Sequence, residues 1–322
     1  MRLYQQEPVS AKVTVAAEDY LRTRYYLREN EPTDITVGRG QEWTPLACKE
    51  VYAKGVKTAR ELACSSCLFD LTAAAELGQA GVCAALEGIL GGSYEQKFSL
   101  TQQVEPPLDC YVQGQGLEQR DLDIAMEVAR SVITARNLVN RPANLLTPEQ
   151  MAQAIADMAE GLPVEAAVYH RDQLESLGFG ALLAIGDSSA NPPAMAVLRY
   201  TGAPERSDRL GLVGKGVTYD TGGYSLKSST GMAKMKGDMA GGAAAACALR
   251  ALAAAGVRAN VTAVVPLCEN RVSPGSALPG DVIRSLSGQT IEVLSTDAEG
   301  RLILADALTW SIREEKCTHL VD

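Results

Sequence analysis

The sequence has little positive charge for its size. It carries 30 lysines and arginines against 39 aspartates and glutamates, so its formal net charge is −9 and its pI is about 5.0. Proteins that bind nucleic acid usually present a strongly basic face to the phosphates. The acidic balance argues against such a partner, and we expect no nucleic acid to bind.

Long apolar runs are also missing. The first residues lack the apolar core of a signal peptide, and no segment approaches the roughly 20 apolar residues that span a bilayer. The longest apolar tract, residues 243–255, is rich in alanine and is interrupted by Arg250. We therefore predict a buried helix there, a cytoplasmic location and no membrane association.

The cysteine spacing contains no zinc-finger pattern. The eight cysteines are scattered, and Cys64 and Cys67 form a lone CxxC pair. A zinc finger of this type needs a second pair at similar spacing. Without an export signal, free thiols in a reducing compartment are the default. We expect the cysteines to be small buried residues.

The chain length of 322 residues suggests two domains. In the first part, short apolar strands alternate with helical patterns, which predicts a smaller N-terminal α/β domain over residues 1–130. Pro106-Pro107 and the glycines at 114 and 116 mark a break, and residues 121–138 have the apolar spacing of one long connecting helix. Strands are predicted at 34–38 and 67–71, and helices at 43–62 and 77–90.

Residues 131–322 show a clearer alternation of strands and helices, and we predict that they form a second domain. Apolar strands are predicted at 210–217, 261–267, 290–294 and 318–321, and helices at 238–255 and 301–313. Near-continuous apolar strands between helices indicate a mainly parallel sheet that is flanked by helices on both faces. Because the last strand begins just before Asp322, we expect the sequence to be truncated inside this domain.

Charged residues gather in segments that adjoin the predicted strand ends. They are Lys215 and Asp220 at one strand end, Asp238 at a helix start, and Asp297 and Glu299 after another strand. In open α/β sheets, ligands collect at the carboxyl ends of the strands. We therefore expect these side chains to converge at one edge of the sheet, with the helix-start aspartate in the N-cap position.

The charges of this set balance if two divalent cations are bound. Four carboxylates are costly to bury together unless they are protonated or neutralised. A nearby dication would also lower the pKa of Lys215, which could then bind metal as a neutral amine. Lys227 and Arg301 would add positive charge for an oxyanion or a bound anion. No histidine is needed, which suits a chain whose only histidines are His170 and His319.

Each of these residues alone has a simpler interpretation. The helix-start aspartate could be only a cap, the loop carboxylates a solvated pair, and the later lysine and arginine surface charges. A phosphate-binding P-loop is a weak alternative, because Gly214-Lys215-Gly216 is followed by Val217 and not by Ser or Thr. A lysine in an apolar strand is harder to explain without a partner, since buried lysines are almost always paired.

The motifs resemble those of the leucyl aminopeptidase (cytosol aminopeptidase) family of two-metal peptidases. Residues 213–223 (VGKGVTYDTGG) match the family's glycine-rich motif, and residues 295–301 (STDAEGR) match its NTDAEGR motif with Ser295 in place of asparagine. Glu269-Asn270 and residues 279–282 and 138–144 match further family segments. The resemblance covers the chain from about residue 78 to residue 322.

The resemblance implies a metal-dependent aminopeptidase that releases N-terminal, leucine-type residues from peptides. It implies two divalent cations, Zn²⁺ or Mn²⁺ with Mg²⁺ as a third candidate, and a bicarbonate ion as general base. It also implies a homohexamer and a catalytic domain that continues past Asp322. The alternatives are a catalytically impaired or inactive metal-binding member or gene fragment and, against the charge, a DNA-binding accessory protein.

The resemblance also assigns the metal ligands residue by residue. One cation would be bound by Lys215, Asp220, Asp238 and Glu299. The other would be bound by Asp220, Glu299 and the carboxylate and backbone carbonyl of Asp297, so that Asp220 and Glu299 bridge the two ions.

Further roles are implied for residues around these ligands. Lys227 would polarise the scissile carbonyl and stabilise the oxyanion, in the way that fixed charges stabilise developing charge. Arg301 would hold the bicarbonate ion. Met235 would line the pocket for the first side chain of the substrate.

Overall fold

The structure is a computed structural model that describes residues 2–3, 8–18, 22–27, 31–92, 94, 108–114 and 118–322. Pro106, Pro107 and Gly116 of the predicted break lie outside these ranges. The chain divides into two compact units, Met1–Ile133 and Thr134–Asp322. None of the described helices is both long and apolar enough to cross a membrane.

The first unit is an α/β unit built on a mostly parallel sheet. Its elements are β1 (Arg2–Leu3), β2 (Ala11–Ala16), β3 (Thr23–Tyr26), β4 (Thr33–Gly38), α1 (Pro45–Glu61), β5 (Ser66–Asp70), α2 (Thr72–Ala75), α3 (Gly78–Gly92) and β6 (Asp109–Gln113). The described strands lie in the order β1-β6-β5-β2-β4-β3, and only β3 runs antiparallel to its neighbour.

Helix α1 shows how local sequence sets up this unit. The Thr44 hydroxyl accepts a hydrogen bond from the Ala47 amide at 3.2 Å, and Pro45 occupies the first helical turn, where its missing N–H is harmless. Residues Ile35, Phe69 and Ile89, from β4, β5 and α3, are fully buried in the core with α1. Helix α4 (Gln119–Asn140) begins in this unit and ends in the second.

The second unit contains a larger mixed sheet. Its elements are α5 (Pro148–Asp157), β7 (Val164–His170), α6 (Arg171–Leu177), α7 (Gly180–Gly186), β8 (Ala194–Thr201), β9 (Leu210–Val213), β10 (Gly216–Asp220), α8 (Ser229–Met232), α9 (Ala240–Ala254), β11 (Asn260–Asn270), β12 (Val282–Arg284), β13 (Thr290–Glu292), α10 (Glu299–Arg313) and β14 (His319–Val321).

The sheet is mainly parallel and covered on both faces, as predicted. Its order is β14-β9-β11-β8-β7, and β10 pairs with the last part of β11. β14, β9, β10 and β11 run parallel to one another. β8 runs antiparallel to β11, and β7 runs antiparallel to β8. One core lies between the sheet and helices α4, α5 and α9, and the other includes α7 and α10. Every residue of β11 is buried, which places this strand at the centre.

The predicted continuous strand at 210–217 is wrong, because it is interrupted at Gly214 and Lys215. The amide of Gly214 still donates to the Val264 carbonyl at 3.1 Å, but the Lys215 carbonyl accepts from Gly242 of α9 at 2.8 Å. A Cβ on Gly214 would stand 2.4 Å from the Gly241 carbonyl oxygen. The start of α9 thus approaches the strand so closely that β9 ends and β10 begins beyond the contact.

Two smaller predictions also fail. The predicted strand at 290–294 is not part of the main sheet: β13 pairs only with β12, in an antiparallel hairpin, among the described strands. Asp238 is not the N-cap of α9, because the helix starts at Ala240 with Met239 before it and no side-chain cap. The Asp238 side chain instead faces Lys215.

Candidate metal centre

The predicted ligands come from the carboxyl-end edge of the main sheet. Lys215 lies between β9 and β10, and Asp220 is the last residue of β10. Asp238 follows a 3-10 turn, Ala233–Gly237, that leads into α9. Asp297 lies in a second 3-10 turn, Thr296–Ala298, and Glu299 is the first residue of α10. The structure brings all of them together.

Each of two lysines lies between two carboxylates. The Lys215 Nζ is 2.7 Å from Asp238 Oδ2 and 2.6 Å from Glu299 Oε1. The Lys227 Nζ is 2.7 Å from Asp220 Oδ2 and also contacts Asp297 Oδ1. The two groups adjoin each other, because Asp220 and Asp297 of one lie close to Glu299 of the other. Together they form one cluster of four carboxylates and two ammonium groups.

Three of the carboxylates are close enough to share a cation. Asp220, Asp297 and Glu299 each offer one oxygen, and these oxygens lie within 4.8 Å of one another. Asp220 is 1% exposed and Glu299 is fully buried, so neither charge is relieved by bulk water. A cation is the partner that such a group of buried negative charges calls for.

Two oxygens of the cluster test whether a metal fits. Asp238 Oδ2 and Glu299 Oε1 are buried, and both face the single ammonium group of Lys215, at 2.7 and 2.6 Å. One positive charge does not neutralise two buried carboxylates. Carboxylate oxygens with one amine are a donor set that Mg²⁺, Mn²⁺ and Zn²⁺ accept. The residues present fit a divalent metal.

The pKa values reflect this crowding. Burial raises the pKa of Asp238 to about 6; the Lys215 ammonium opposes the rise, and the charges of Glu299 and Asp220 add to it. Burial alone would lower the pKa of Lys215, but its contacts with Asp238 and Glu299 outweigh this and raise it. The pKa of Lys227 is raised in the same way by Asp220 and Asp297. Both lysines are therefore charged at neutral pH in the metal-free cluster.

Glycines permit the close approach of backbone to these ligands. A Cβ on Gly300 would stand 2.8 Å from Cδ and 3.1 Å from Nζ of Lys215. Gly222 has φ +87°, and a Cβ there would meet Asp297 Oδ1 at 2.9 Å. Glycine at both positions therefore allows this close approach.

Sequence reasoning missed two hydrogen-bonding residues at the centre. Asn270 ends β11, and its side-chain amide donates to Asp220 and to the Thr296 carbonyl. The Thr296 hydroxyl donates to the Gly222 carbonyl at 2.7 Å and accepts from the Ser225 amide at 2.8 Å. Asn270 follows a predicted strand and lies in a matched family segment, so its position at the strand end was the available signal.

The remaining predicted residues surround the cluster without joining it. Arg301 lies in the first turn of α10, is exposed, and makes no hydrogen bond or ion pair with the part of the chain that the structure describes. Met235 is half-buried in the 3-10 turn before Asp238. Ser295, which replaces the family asparagine, accepts a hydrogen bond from the Asp297 amide at 3.3 Å. The roles of Arg301 and Met235 stay predictions.

Comparison with known families decides which proteins this centre belongs with. The family model for the catalytic domain of the cytosol aminopeptidase family matches residues 133–322, the stretch that contains the whole cluster. The chain belongs to the cytosol aminopeptidase family. Probable cytosol aminopeptidases of Solibacter usitatus (46% identical over 242 residues) and Clostridium perfringens (36% identical over 298 residues) are among its relatives.

The chain is shorter than these family members. The two alignments cover 74% and 89% of the chain but only 50% and 60% of the respective relatives. The chain therefore spans about half of the length of the curated relatives that it matches.

Solved structures of other proteins share the fold of this chain. The bottromycin maturation enzyme BotP superposes with a TM-score of 0.85 at 31% identity, covering 97% of this chain and 71% of BotP. A complex of BotP with Mn gives 0.83 at 32% identity and covers 94% and 68% of the two chains. Leucine aminopeptidase of Caenorhabditis elegans gives 0.78 at 28% identity and covers 89% and 58%.

Proposed function

We propose that this chain carries the metal centre of a two-metal aminopeptidase that releases N-terminal, leucine-type residues from peptides. The observation that carries the proposal is the cluster itself, in which four carboxylates, two of them almost completely buried, meet two lysine ammonium groups. Membership of the cytosol aminopeptidase family supports it, and so does the Mn complex of BotP.

The proposed ligand sets are those that the family resemblance implies. Lys215, Asp220, Asp238 and Glu299 would hold one cation, and Asp220, Asp297 and Glu299 the other. When bound, the two cations supply Lewis acidity and lower the pKa of a water molecule. The shared carboxylates, Asp220 and Glu299, are the most deeply buried of the set, which suits groups that hold two ions at a fixed separation.

Residues of the chain itself would then do the remaining chemistry. Lys227 provides a fixed positive charge at the edge of the cluster for the oxyanion of a peptide carbonyl. Arg301 is exposed and lacks a carboxylate partner within the described chain, so it is available to hold a bicarbonate ion that accepts a proton. Met235, beside Asp238, would contact the first side chain of the substrate.

Hydrolysis of a leucine reporter peptide tests the proposal. We expect the purified chain to bind two Mn²⁺ or Zn²⁺ ions and to release leucine only when they are present, with loss of turnover in a chelator and recovery on readdition. A version extended to the full length of its relatives should be assayed beside it. Metal binding without turnover by either version would identify an inactive metal-binding member and contradict the proposal.

Metal binding should depend steeply on pH. Cations bind the deprotonated forms of their ligands and displace protons. The pKa of Asp238 is raised to about 6, and that of Lys215 is raised as well, so protons and cations compete for the same atoms. We expect the apparent Mn²⁺ affinity to rise continuously between pH 5 and pH 8. Calorimetry in two buffers of different ionisation enthalpy should also detect released protons.

The surface substitution Asp172→Ala is the matched control for this titration, since that side chain is 97% exposed. It should leave the pH dependence unchanged. An Mn²⁺ affinity that is constant from pH 5 to pH 8, with no proton release, would show that neither Lys215 nor Asp238 binds the cation.

The family resemblance also supports proposals about the cellular setting. We propose a cytoplasmic location, in keeping with the names of the relatives, and a homohexamer that sedimentation analysis can test. Peptides are the proposed partners. The net charge of −9 favours these over nucleic acid, and retention on a DNA column at low salt would contradict that preference.

A further inference from the structure

We propose that Asn270 is a positioning residue that holds Asp220 and Glu299 in place before a cation binds. The inference rests on the proposed two-metal function, because it concerns the two carboxylates that would be shared by both ions. Asn270 is neutral and is not itself a ligand in the proposed sets. Its effect would be exerted through the carboxylates that it contacts.

The contacts of the Asn270 amide are specific. Its Nδ2 lies 2.8 Å from Asp220 Oδ1, 2.9 Å from the Thr296 carbonyl oxygen and 3.4 Å from Glu299 Oε2. The side-chain NH₂ group has two hydrogens, which the first two acceptors take, so the longer contact with Glu299 is mainly electrostatic. A reversed amide would place its oxygen against all three acceptors, and the surroundings therefore determine its orientation.

These contacts decide which carboxylate oxygens remain for a cation. Asp220 Oδ1 accepts from Asn270 and from the Gly222 amide at 2.8 Å, which leaves Oδ2 to face Lys227. Glu299 Oε2 faces Asn270, which leaves the buried Oε1 to face Lys215. Asn270 thus contacts one oxygen of each carboxylate, and the other oxygen of each faces the lysines of the site.

A neutral amide suits this position better than a cation would. It reduces the repulsion between two buried carboxylates by donating to them, yet it carries no charge that would compete with a metal ion for the same oxygens. The contact with the Thr296 carbonyl anchors the 3-10 turn that carries Asp297. One side chain therefore links the end of β10, the start of α10 and the turn between β13 and α10.

Asn270 is itself held firmly by its neighbours. Its own carbonyl accepts from both the amide and the hydroxyl of Thr221 at 2.9 Å. On one side the fully buried Glu269 forms a two-pronged ion pair with Arg271, at 2.6 and 3.0 Å. The Ser188 hydroxyl donates to the Glu269 carbonyl and accepts from the Arg271 amide. These bonds fix the backbone at the end of β11 and therefore the point from which the Asn270 side chain extends.

Two substitutions test the proposal through metal affinity. Asn270→Ala removes the amide, and Asn270→Leu removes the donors while keeping a similar volume. Loss of a residue that orients metal ligands typically weakens metal binding about 10- to 100-fold. We expect both variants to show a Kd for Mn²⁺ raised by that factor, measured by calorimetry on the folded protein, and a lowered kcat with little change in KM at saturating Mn²⁺.

Asn260→Ala is the matched control, because Asn260 starts the same strand and its amide also donates to backbone carbonyls, those of Ala203, Arg206 and Asp208. This variant should lose thermal stability and keep the wild-type Kd for Mn²⁺. A purely structural role for Asn270 predicts the same pattern in its own variants.

The outcomes separate this inference from the proposed function. Wild-type Mn²⁺ affinity in both folded Asn270 variants overturns the positioning role alone. Weakened Mn²⁺ binding in both, with no aminopeptidase turnover by any version of the wild type, upholds the positioning role and overturns the proposed function. A wild-type chain that binds no Mn²⁺ overturns both.

Discussion

Replacing Asp297 with alanine is expected to reduce the number of bound cations from two to one and to abolish turnover. In the proposed sets Asp297 binds only one of the two ions, and its removal leaves Lys227 paired with Asp220 alone. The Asp297 side chain is 38% exposed, so its truncation creates no buried cavity and the fold should persist. We expect kcat/KM to fall at least about 1,000-fold, which corresponds to about 4 kcal/mol of transition-state stabilisation.

Metal content by mass spectrometry of the intact protein, together with the leucine reporter assay, checks this result. Asp172→Ala, on the exposed surface, is the control that should keep two ions. Two ions bound with unchanged affinity in Asp297→Ala would remove Asp297 from the ligand set. Because the readout is stoichiometry, the result is informative whether or not the chain itself turns over substrate.

The second large effect is expected in the fold, at Asp306. This side chain is fully buried in α10. Its Oδ2 accepts from the amides of Ala181 and Leu182, at 2.9 and 3.0 Å, and its Oδ1 accepts from Leu286 at 2.7 Å. Burial raises the pKa of Asp306 in spite of these donors. The carboxylate thereby joins α10 to the start of α7 and to the loop after β12.

Asp306→Ala should destabilise the protein by about 3–5 kcal/mol, because each buried amide left without an acceptor costs about 1–3 kcal/mol. That loss is a large share of the roughly 5–15 kcal/mol that stabilises a typical native protein. Urea denaturation followed by circular dichroism measures it. We expect a lower midpoint at an unchanged slope.

Asp306→Asn is the graded control. Its side chain has one oxygen, which can accept from the backbone amides at one of the two Asp306 oxygen positions, while its NH₂ group faces the amides at the other position. Its loss of stability should lie between those of the wild type and the alanine variant. A free energy of unfolding for Asp306→Ala within about 1 kcal/mol of the wild type would mean that water satisfies these amides and that the carboxylate does not hold the elements together.

Much of the centre was predictable because it depends on strand ends. Asp220 ends a strand of the main parallel sheet, and ligands collect at the carboxyl ends of such strands. Glu299 follows the separate β12-β13 hairpin and reaches the same place through tertiary packing. The alternation of apolar strands and helices indicated that sheet. The count of carboxylates against lysines indicated that positive charge must enter the cluster. None of these inferences needed a coordinate.

Helix α10 shows where periodicity reaches its limit. Its helical apolar spacing would turn both Leu302 and Ile312 toward the core, yet Leu302 is 5% exposed and Ile312 is 55% exposed. Asp306 is fully buried instead. A buried aspartate is tolerated because three backbone amides outside α10 donate to it, two of them about 125 residues earlier in the chain, and no local pattern in α10 reveals those donors.

The sequence by itself indicated the family, the α/β class, and the carboxylates and lysines that form the cluster, because motifs, periodicity and charge are properties of neighbouring residues. The tertiary structure decided that the strand at 210–217 is interrupted where the start of α9 contacts it. It also decided that Asp238 pairs with Lys215 and does not cap a helix. It also decided which oxygen of Glu299 faces Asn270 and which faces Lys215. Such choices depend on directional hydrogen bonds and close packing between residues far apart in the chain.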